Sequence, residues 1–470
     1  MIGRDFGYYV LSAVLKTPAK LRTQMKNLED FIAIVEGSPR VKSRAAFLGA
    51  LDSIVYEAVF EKDEKKKRVS LKAIKEVAKA EGAIPSSIRS LYEEMGRNYP
   101  GFTVPAINIR GLTYDMARAL FRKALALDVG ALIFEIARSE IGYSDQRPLE
   151  YAAVVMAAAL KEGWKGPVFI QGDHFQFSRK NYESNPEQET KNIKELVKEA
   201  VDAEFYNIDI DASTLVDLTQ DPVKEQQRPN FEKTAELANL IRTIEPKGIT
   251  VSIGGEIGEI GGKNSTPEEF RAFLGGFKEI FKGQTGLSKI SVQTGTTHGG
   301  VVLPDGKLAK VKIDFDTLKT LSHLAREEYG VAGCVQHGAS TLPEEAFDMF
   351  PKVGAAEIHL ATGFQNMIYD SPSMPNAFRE EVYEFVKKEF PGERKEGETV
   401  EQFIYSTRKR ALGPLKKKWW DLPGDVKSRI MKEIEGRFDL LFHKLKVVGT
   451  KKFVQEKTKP LLVKKQIQLP

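Results

Sequence analysis

The sequence predicts an α/β chain whose central part is a (β/α)8 TIM barrel. From residue 102 onward, short Val-, Ile- and Phe-rich runs alternate with amphipathic stretches of about ten to fifteen residues, the texture of a parallel sheet with helical crossovers. Eight such runs, at 104–109, 131–136, 168–173, 205–211, 250–256, 289–295, 333–337 and 355–360, fall within the roughly 260 residues that one barrel needs. Four strand-like stretches also end in histidine, where barrels gather their chemistry. A doubly wound sheet is the competing arrangement, but no Gly-x-Gly-x-x-Gly follows the first run.

Taken in order, residues 1–100 read as a helical N-terminal extension. DFIAIVEG, AAFLGALDSIVYEAVF and SLKAIKEVAKAEG carry apolar residues at three- and four-residue spacing. Ser70 and Ser86 are candidate N-caps, and EKDEKKKR reads as a charged connector. Residues 101–372 form the expected barrel, with helices such as TYDMARALFRKALAL, NIKELVKEAVDA and FEKTAELANLIRTI between strands. Residues 373–470 read as a helical C-terminal extension, carried by FREEVYEFVKKEF and VKSRIMKEIEGRFDLLFHKL.

Bulk composition bounds the function. The 470 residues, 41% hydrophobic and 29% charged, suit a soluble globular protein, and no apolar run approaches the ~20 residues that span a bilayer. The opening MIGRDFGYYVLSAVLK has too short an apolar stretch to read as a signal peptide, so a cytoplasmic location and no membrane partner are expected. One cysteine, Cys334, rules out an internal disulfide and a cysteine-rich zinc site; it reads as a small buried hydrophobe. The net charge of +5 is mild and lysines mostly stand beside glutamates, so no nucleic-acid partner is expected.

The run VFIQGDH, residues 168–174, ends on adjacent Asp173 and His174, a proton acceptor beside a metal lone pair. KISVQTGTTHGG, GCVQHGAS and AAEIHLAT end on or just after His298, His337 and His359. His323 and His443 lie in helical stretches and read as structural. Three neutral imidazoles with an open position suit a catalytic Zn²⁺ that polarises a substrate oxygen, with Asp173 as acid or base. Glycines beside His298 and His337, then Ser340 and Thr362-Gly363, leave backbone N–H groups for an anion, and phosphate sites are frequent after the last two barrel strands. GGEIGEIGG, residues 254–262, reads as a mobile lid, with Glu256 as a further metal ligand and Glu259 as a base. Asp209 and Asp211 share a strand face, and at least one is expected to support a ligand.

Together these residues resemble the class II, zinc-dependent fructose-bisphosphate aldolases, over about residues 100–370 and as a divergent long subgroup. The carriers are VPAINIRGLTYDMARAL, GDH, GGEIGEIGG, TTHGG and VQHGAS, in that order along the chain. The resemblance implies substrate contact at Asn108, proton transfer at Asp173, and metal on His174, His298 and His337 with Glu256 as an alternative ligand. It implies one Zn²⁺ per chain, or another divalent ion in its place. It sets Gly299, Gly338 and Ser340 at the phosphate of dihydroxyacetone phosphate, with Thr362 kept and His359 toward the substrate oxygens. The implied reaction is reversible cleavage of fructose 1,6-bisphosphate, Glu259 returning the carbon-bound proton, in glycolysis or gluconeogenesis. A small phosphorylated sugar is then the partner, and a homodimer or homotetramer the expected assembly.

Three departures keep other readings in view. Lys263 and Asn264 stand where the family's lid is acidic, His359 and Ala361 replace an asparagine and an aspartate, and Val301, Val302 and Leu303 follow the His-Gly pair where a basic residue is usual. The alternatives are an aldolase for tagatose bisphosphate or an unphosphorylated sugar, a metal hydrolase on the same barrel, and an aldolase-like binding or regulatory subunit. The hydrolase is disfavoured because the first strand carries no His-x-His.

Overall fold

A computed structural model describes residues 28–35, 38–258, 263–295, 303 and 313–463. By contacts the chain divides into two compact units, residues 1–77 with 464–470, and residues 78–463. Within the first unit an antiparallel pair, Ile32–Val35 with Ser38–Val41, precedes the helix Arg44–Phe60. The helical pattern of DFIAIVEG thus gives way to a hairpin; Pro39 is tolerated because both strands of a two-stranded pair are edges. EKDEKKKR is a connector only at its start, since the next helix spans Glu64–Ala80. Ser70 therefore lies inside that helix, and Ser86 caps nothing, its hydroxyl donating to the Ile84 carbonyl.

In the second unit eight strands run parallel: β1 (Val104–Asn108), β2 (Ile133–Ala137), β3 (Gly166–Gln176), β4 (Asn207–Asp211), β5 (Ser252–Gly258), β6 (Lys289–Val292), β7 (Cys334–Gln336) and β8 (Glu357–Leu360). β8 pairs back onto β1 and β3 onto β4, so the sheet closes into a barrel. A short strand, Ala83–Pro85, pairs with Gly166–Val168 of β3, below the part of β3 that joins β4. Some of the connecting helices are capped by side chains. Thr266 and Glu269 cap Pro267–Ile280 reciprocally, and Asp314 accepts from the Thr317 N–H at the start of Phe315–Tyr329.

Two strand-level features shape the mouth of the barrel. The β3–β4 pairing slips between Gly172 and Phe175, and His174 inside the slip has φ 38°, a left-handed conformation that a side chain disfavours. Alternation would turn adjacent residues to opposite faces; the bulge lets Asp173 and His174 both reach the mouth. Gly172 is required there, because a Cβ on it would enter the Phe175 ring. Cys334 on β7 is fully buried and burial pushes its thiol up to about 12, as suits a packing residue.

The C-terminal helices belong to the barrel unit. Helix Gly424–Lys444 lies along Thr113–Ala126, joined by Arg122–Glu435 at 2.7 Å and Lys123–Asp439 at 3.0 Å. Thr450 accepts from the Gly130 and Ala131 N–H groups just before β2. The turn Arg408–Ala411 carries Lys409 to the barrel mouth. Both helical histidines, His323 and His443, lie more than half exposed beside carboxylates one turn away.

Candidate active site

Inward-facing side chains of the barrel stack in two layers, two residues apart on the same strands. The lower layer holds Gln171 (β3), Asp209 (β4), Lys289 (β6) and Glu357 (β8), all at most 2% exposed. Lys289 Nζ donates to Gln171 Oε1 at 2.8 Å, Asp209 Oδ2 at 2.9 Å and Glu357 Oε1 at 2.5 Å. Gln171 Nε2 donates on to Glu135 and Glu357, and the Tyr92 hydroxyl to the other Glu357 oxygen. Gly254 leaves room for this network, since a Cβ there would strike Asp209. Burial would raise Glu357, but Lys289 and His359 outweigh it and hold it down at about 2. Burial would also push the Lys289 ammonium down, and Asp209 and Glu357 hold it up instead.

The upper layer holds Asp173, Asp211, Ser291 and His359 on those same four strands. His337, just past β7, stands between His174 and His359, with ring centroids 4.1 Å from each. His174 Nδ1 lies 3.1 Å from Asp211 Oδ2 and 2.9 Å from Glu256 Oε2. His337 Nε2 lies 2.9 Å from Ser291 Oγ. His359 Nδ1 faces Asp173 Oδ1 at 3.1 Å and Glu135 Oε2 at 3.3 Å, while its Nε2 reaches Glu357 Oε1 at 2.5 Å. Burial alone would push His174 and His359 down. For His174 the carboxylates of Asp173 and Glu256 outweigh it, and for His359 those of Glu135 and Asp173, so both imidazoles sit well above the usual range. Burial and then Asp211 push Glu256 up to about 7.

These groups open on a cavity of about 500 Å³ at the C-terminal end of the strands, which takes in Asn108, Asp173, His174, His337, Gly338, Ser340, His359 and Thr362. Asn108 at the end of β1 donates to Glu140, and its Oδ1 is buried without a hydrogen-bond partner. Ser340 accepts from the Gly363 N–H at 3.0 Å, so the loops after β7 and β8 are joined beside the cavity. Arg110 donates to Thr362 at 3.2 Å, which adds a cation to the Gly338, Ser340 and Thr362 corner. Glu256 lies on β5 within reach of His174. Glu259, His298 and Gly299 fall outside the described residues.

The donor set suits a divalent ion. His174, Glu256 and His337 each bring one donor atom within 4.8 Å of the others, as do Asp173, His337 and His359. Glu256 Oε2 is buried 2.9 Å from His174 Nδ1, so a carboxylate and an imidazole converge there as two ligands of one ion would. Nitrogen and oxygen donors of this kind take Zn²⁺ or a similar ion.

Several site residues were not singled out in the sequence: Arg110, Glu135, Arg138, Glu140, Tyr143 and Lys409 line the cavity, and Lys289 and Glu357 lie beneath it. The readable signal was a charge inside an apolar run, as in ALIFEIA, KISV and AAEIHLA. Lys409 gave no signal, because it reaches the mouth from beyond the barrel segment.

Comparison with known proteins gives the family. No curated protein sequence matches this chain significantly. A probable tagatose 6 phosphate kinase from Sinorhizobium meliloti 1021 is similar in structure at 16% identity and TM-score 0.53, over 76% of this chain and 98% of that one. The fructose-bisphosphate aldolase of Campylobacter jejuni matches at 18% identity and TM-score 0.49, over 78% of this chain and 97% of its own. At 16% identity the likeness to the Sinorhizobium meliloti protein is one of fold. The sequence profile of the family described as fructose-bisphosphate aldolase class-II matches residues 96–411, which take in all eight strands and the mouth they form. On that match the chain belongs to the class II fructose-bisphosphate aldolase family.

Proposed function

We propose that this chain is a Zn²⁺-dependent aldolase that reversibly cleaves fructose 1,6-bisphosphate to dihydroxyacetone phosphate and glyceraldehyde 3-phosphate. The observation that carries the reading is the meeting of Asp173, His174, His337 and Glu256 at one barrel mouth, in a chain of this family. His174, His298 and His337 would hold the ion, with Glu256 as the alternative ligand. A bound divalent ion supplies Lewis acidity to the carbonyl and hydroxyl oxygens of the ketose.

The side chains do the rest. Asp173 accepts the C4 hydroxyl proton as the C3–C4 bond breaks, and the bonding pair passes to C3 and the adjoining carbonyl. Gly338 and Ser340 bind the phosphate of the dihydroxyacetone phosphate half with Gly299, and Thr362 and Arg110 close that corner. Asn108 and His359 orient the substrate oxygens, and Glu259 returns the proton to C3. Such an enzyme fits central sugar metabolism in the cytoplasm, as a homodimer or homotetramer.

One observation favours a second reading in which another ketose is cleaved. The mouth carries His359 and Ala361 where the family pattern has an asparagine and an aspartate, a changed lining at the substrate oxygens. The test is cleavage of fructose 1,6-bisphosphate and of tagatose 1,6-bisphosphate by purified protein, with chelator and after zinc add-back. Zinc-restored cleavage of the fructose ester supports the first reading, preference for the tagatose ester the second. Absence of both from zinc-loaded protein removes the aldolase assignment.

A further inference from the structure

One carboxylate organises the side of the mouth next to the phosphate corner. Glu140 lies in the short helix after β2 and is 4% exposed. Its Oε2 accepts from the Ala137 N–H at 2.7 Å and from Asn108 Nδ2 at 2.5 Å, and its Oε1 accepts from Arg110 Nε at 2.7 Å. The Ala137 bond anchors the carboxylate to the backbone at the end of β2. From there it holds two side chains that come from β1 and the turn after it. A carboxylate can only accept, so the NH₂ of Asn108 must face it and the amide has one orientation.

Arg110 is held from three sides. A guanidinium has five N–H donors in a fixed fork. Nε is on Glu140, and Nη1 donates to Thr362 Oγ1 at 3.2 Å and Gln365 Oε1 at 3.1 Å. The two N–H groups of Nη2 therefore have no hydrogen-bond partner among the described residues. Arg110 lines the cavity together with Gly338, Ser340 and Thr362. Burial works against its charge, and Glu140 is the chief influence holding that charge up.

The Arg110–Glu140 pair is neutral as a unit, so net positive charge at this corner has another source. Lys409 lines the same cavity, and its ammonium has no ion pair among the described residues. If Glu140 acted on an anion only through its own charge, it would repel it. If it acts by holding the fork, its removal frees the guanidinium to swing among its other partners. The two roles thus give anion binding opposite signs.

We propose that Glu140 is a positioning residue: it aims Arg110 so that the two Nη2 donors meet the phosphate group of a bound ester, with Lys409 supplying the net positive charge. The inference rests on reading this corner as a phosphate site and not on which ketose is cleaved. Fixed, charge-assisted donors of this kind bind phosphate more strongly than the same donors left mobile.

The test is calorimetric titration of inorganic phosphate into folded, full-length, zinc-loaded protein, with zinc content and circular dichroism checked for every variant. Phosphate should bind the wild type, and Glu140→Gln should weaken it about tenfold. Arg110→Lys should weaken it by a similar factor, because one ammonium cannot serve Glu140, Thr362, Gln365 and a ligand together. The double variant should bind no more weakly than Arg110→Lys alone, since Glu140 acts through Arg110. Unchanged or tighter binding in Glu140→Gln, additive losses in the double variant, or no phosphate bound by the wild type would each overturn the proposal. Should Glu140→Gln not fold, Glu140→Asp makes the same comparison: it keeps the charge, but is too short to reach both Ala137 and Arg110, and should weaken binding likewise. Phosphate bound in this Glu140-dependent way by a chain that cleaves no ketose bisphosphate would remove the aldolase reading and leave the positioning role standing.

Discussion

The two inner layers of the barrel come from the same four strands, yet only one of them carries a lysine. In the lower layer Lys289 donates to Gln171, Asp209 and Glu357. Two residues further along, Asp173, Asp211, Ser291 and His359 meet with no lysine among them. The lower layer is bridged by the chain's own Lys289 ammonium and Gln171 amide and reads as structure. The upper layer depends on what binds and reads as function.

Removing a layer's cation should therefore have different consequences. Lys289→Met leaves Asp209 and Glu357 buried without their partner, and a loss of about 3–5 kcal/mol of unfolding free energy is expected by urea denaturation. A loss under ~1 kcal/mol would break the distinction between the layers. Asp173→Asn in the upper layer should leave folding largely intact while cleavage slows by about 10²–10⁴-fold, read as kcat. Stripping divalent ions by chelation should lower stability by ~2.7 kcal/mol relative to protein with ion at a hundred times its Kd, reversed by zinc. An unchanged melting temperature would mean that the donors bind no ion.

The smallest expected effect lies at the rim. Lys409 lines the cavity, with burial and then the neighbouring Arg110 and Arg410 lowering its ammonium. Lys409→Ala should raise KM for a bisphosphate several-fold, ~1 kcal/mol of binding, with kcat nearly unchanged. A monophosphate substrate that shows the same change would place Lys409 at the shared phosphate instead of the second one.

The barrel was legible because strand and helix periods differ and eight alternations leave few other closures. Asp173, His174, His337 and His359 were legible because polar residues at the ends of apolar strands mark a mouth. What escaped was cooperative. Glu135, Lys289 and Glu357 each look like a misplaced charge in a strand, and only the closed sheet brings β2, β6 and β8 to one axis. The bulge at His174 was equally hidden, since its positive φ comes from the slipped pairing with β4. In the N-terminal region the periodicity of DFIAIVEG suits a helix, but Ile32–Val35 pairs with Ser38–Val41 as a hairpin instead.

The central claim is that the mouth activates the carbon next to the carbonyl of a ketose phosphate, and proton exchange tests it without a choice of aldehyde. Dihydroxyacetone phosphate would be incubated in D₂O with the zinc-loaded chain and followed by nuclear magnetic resonance. Exchange of one C3 proton, lost on chelation and regained with zinc, is the predicted result. Both C3 protons retained in the presence of bound zinc would contradict the account.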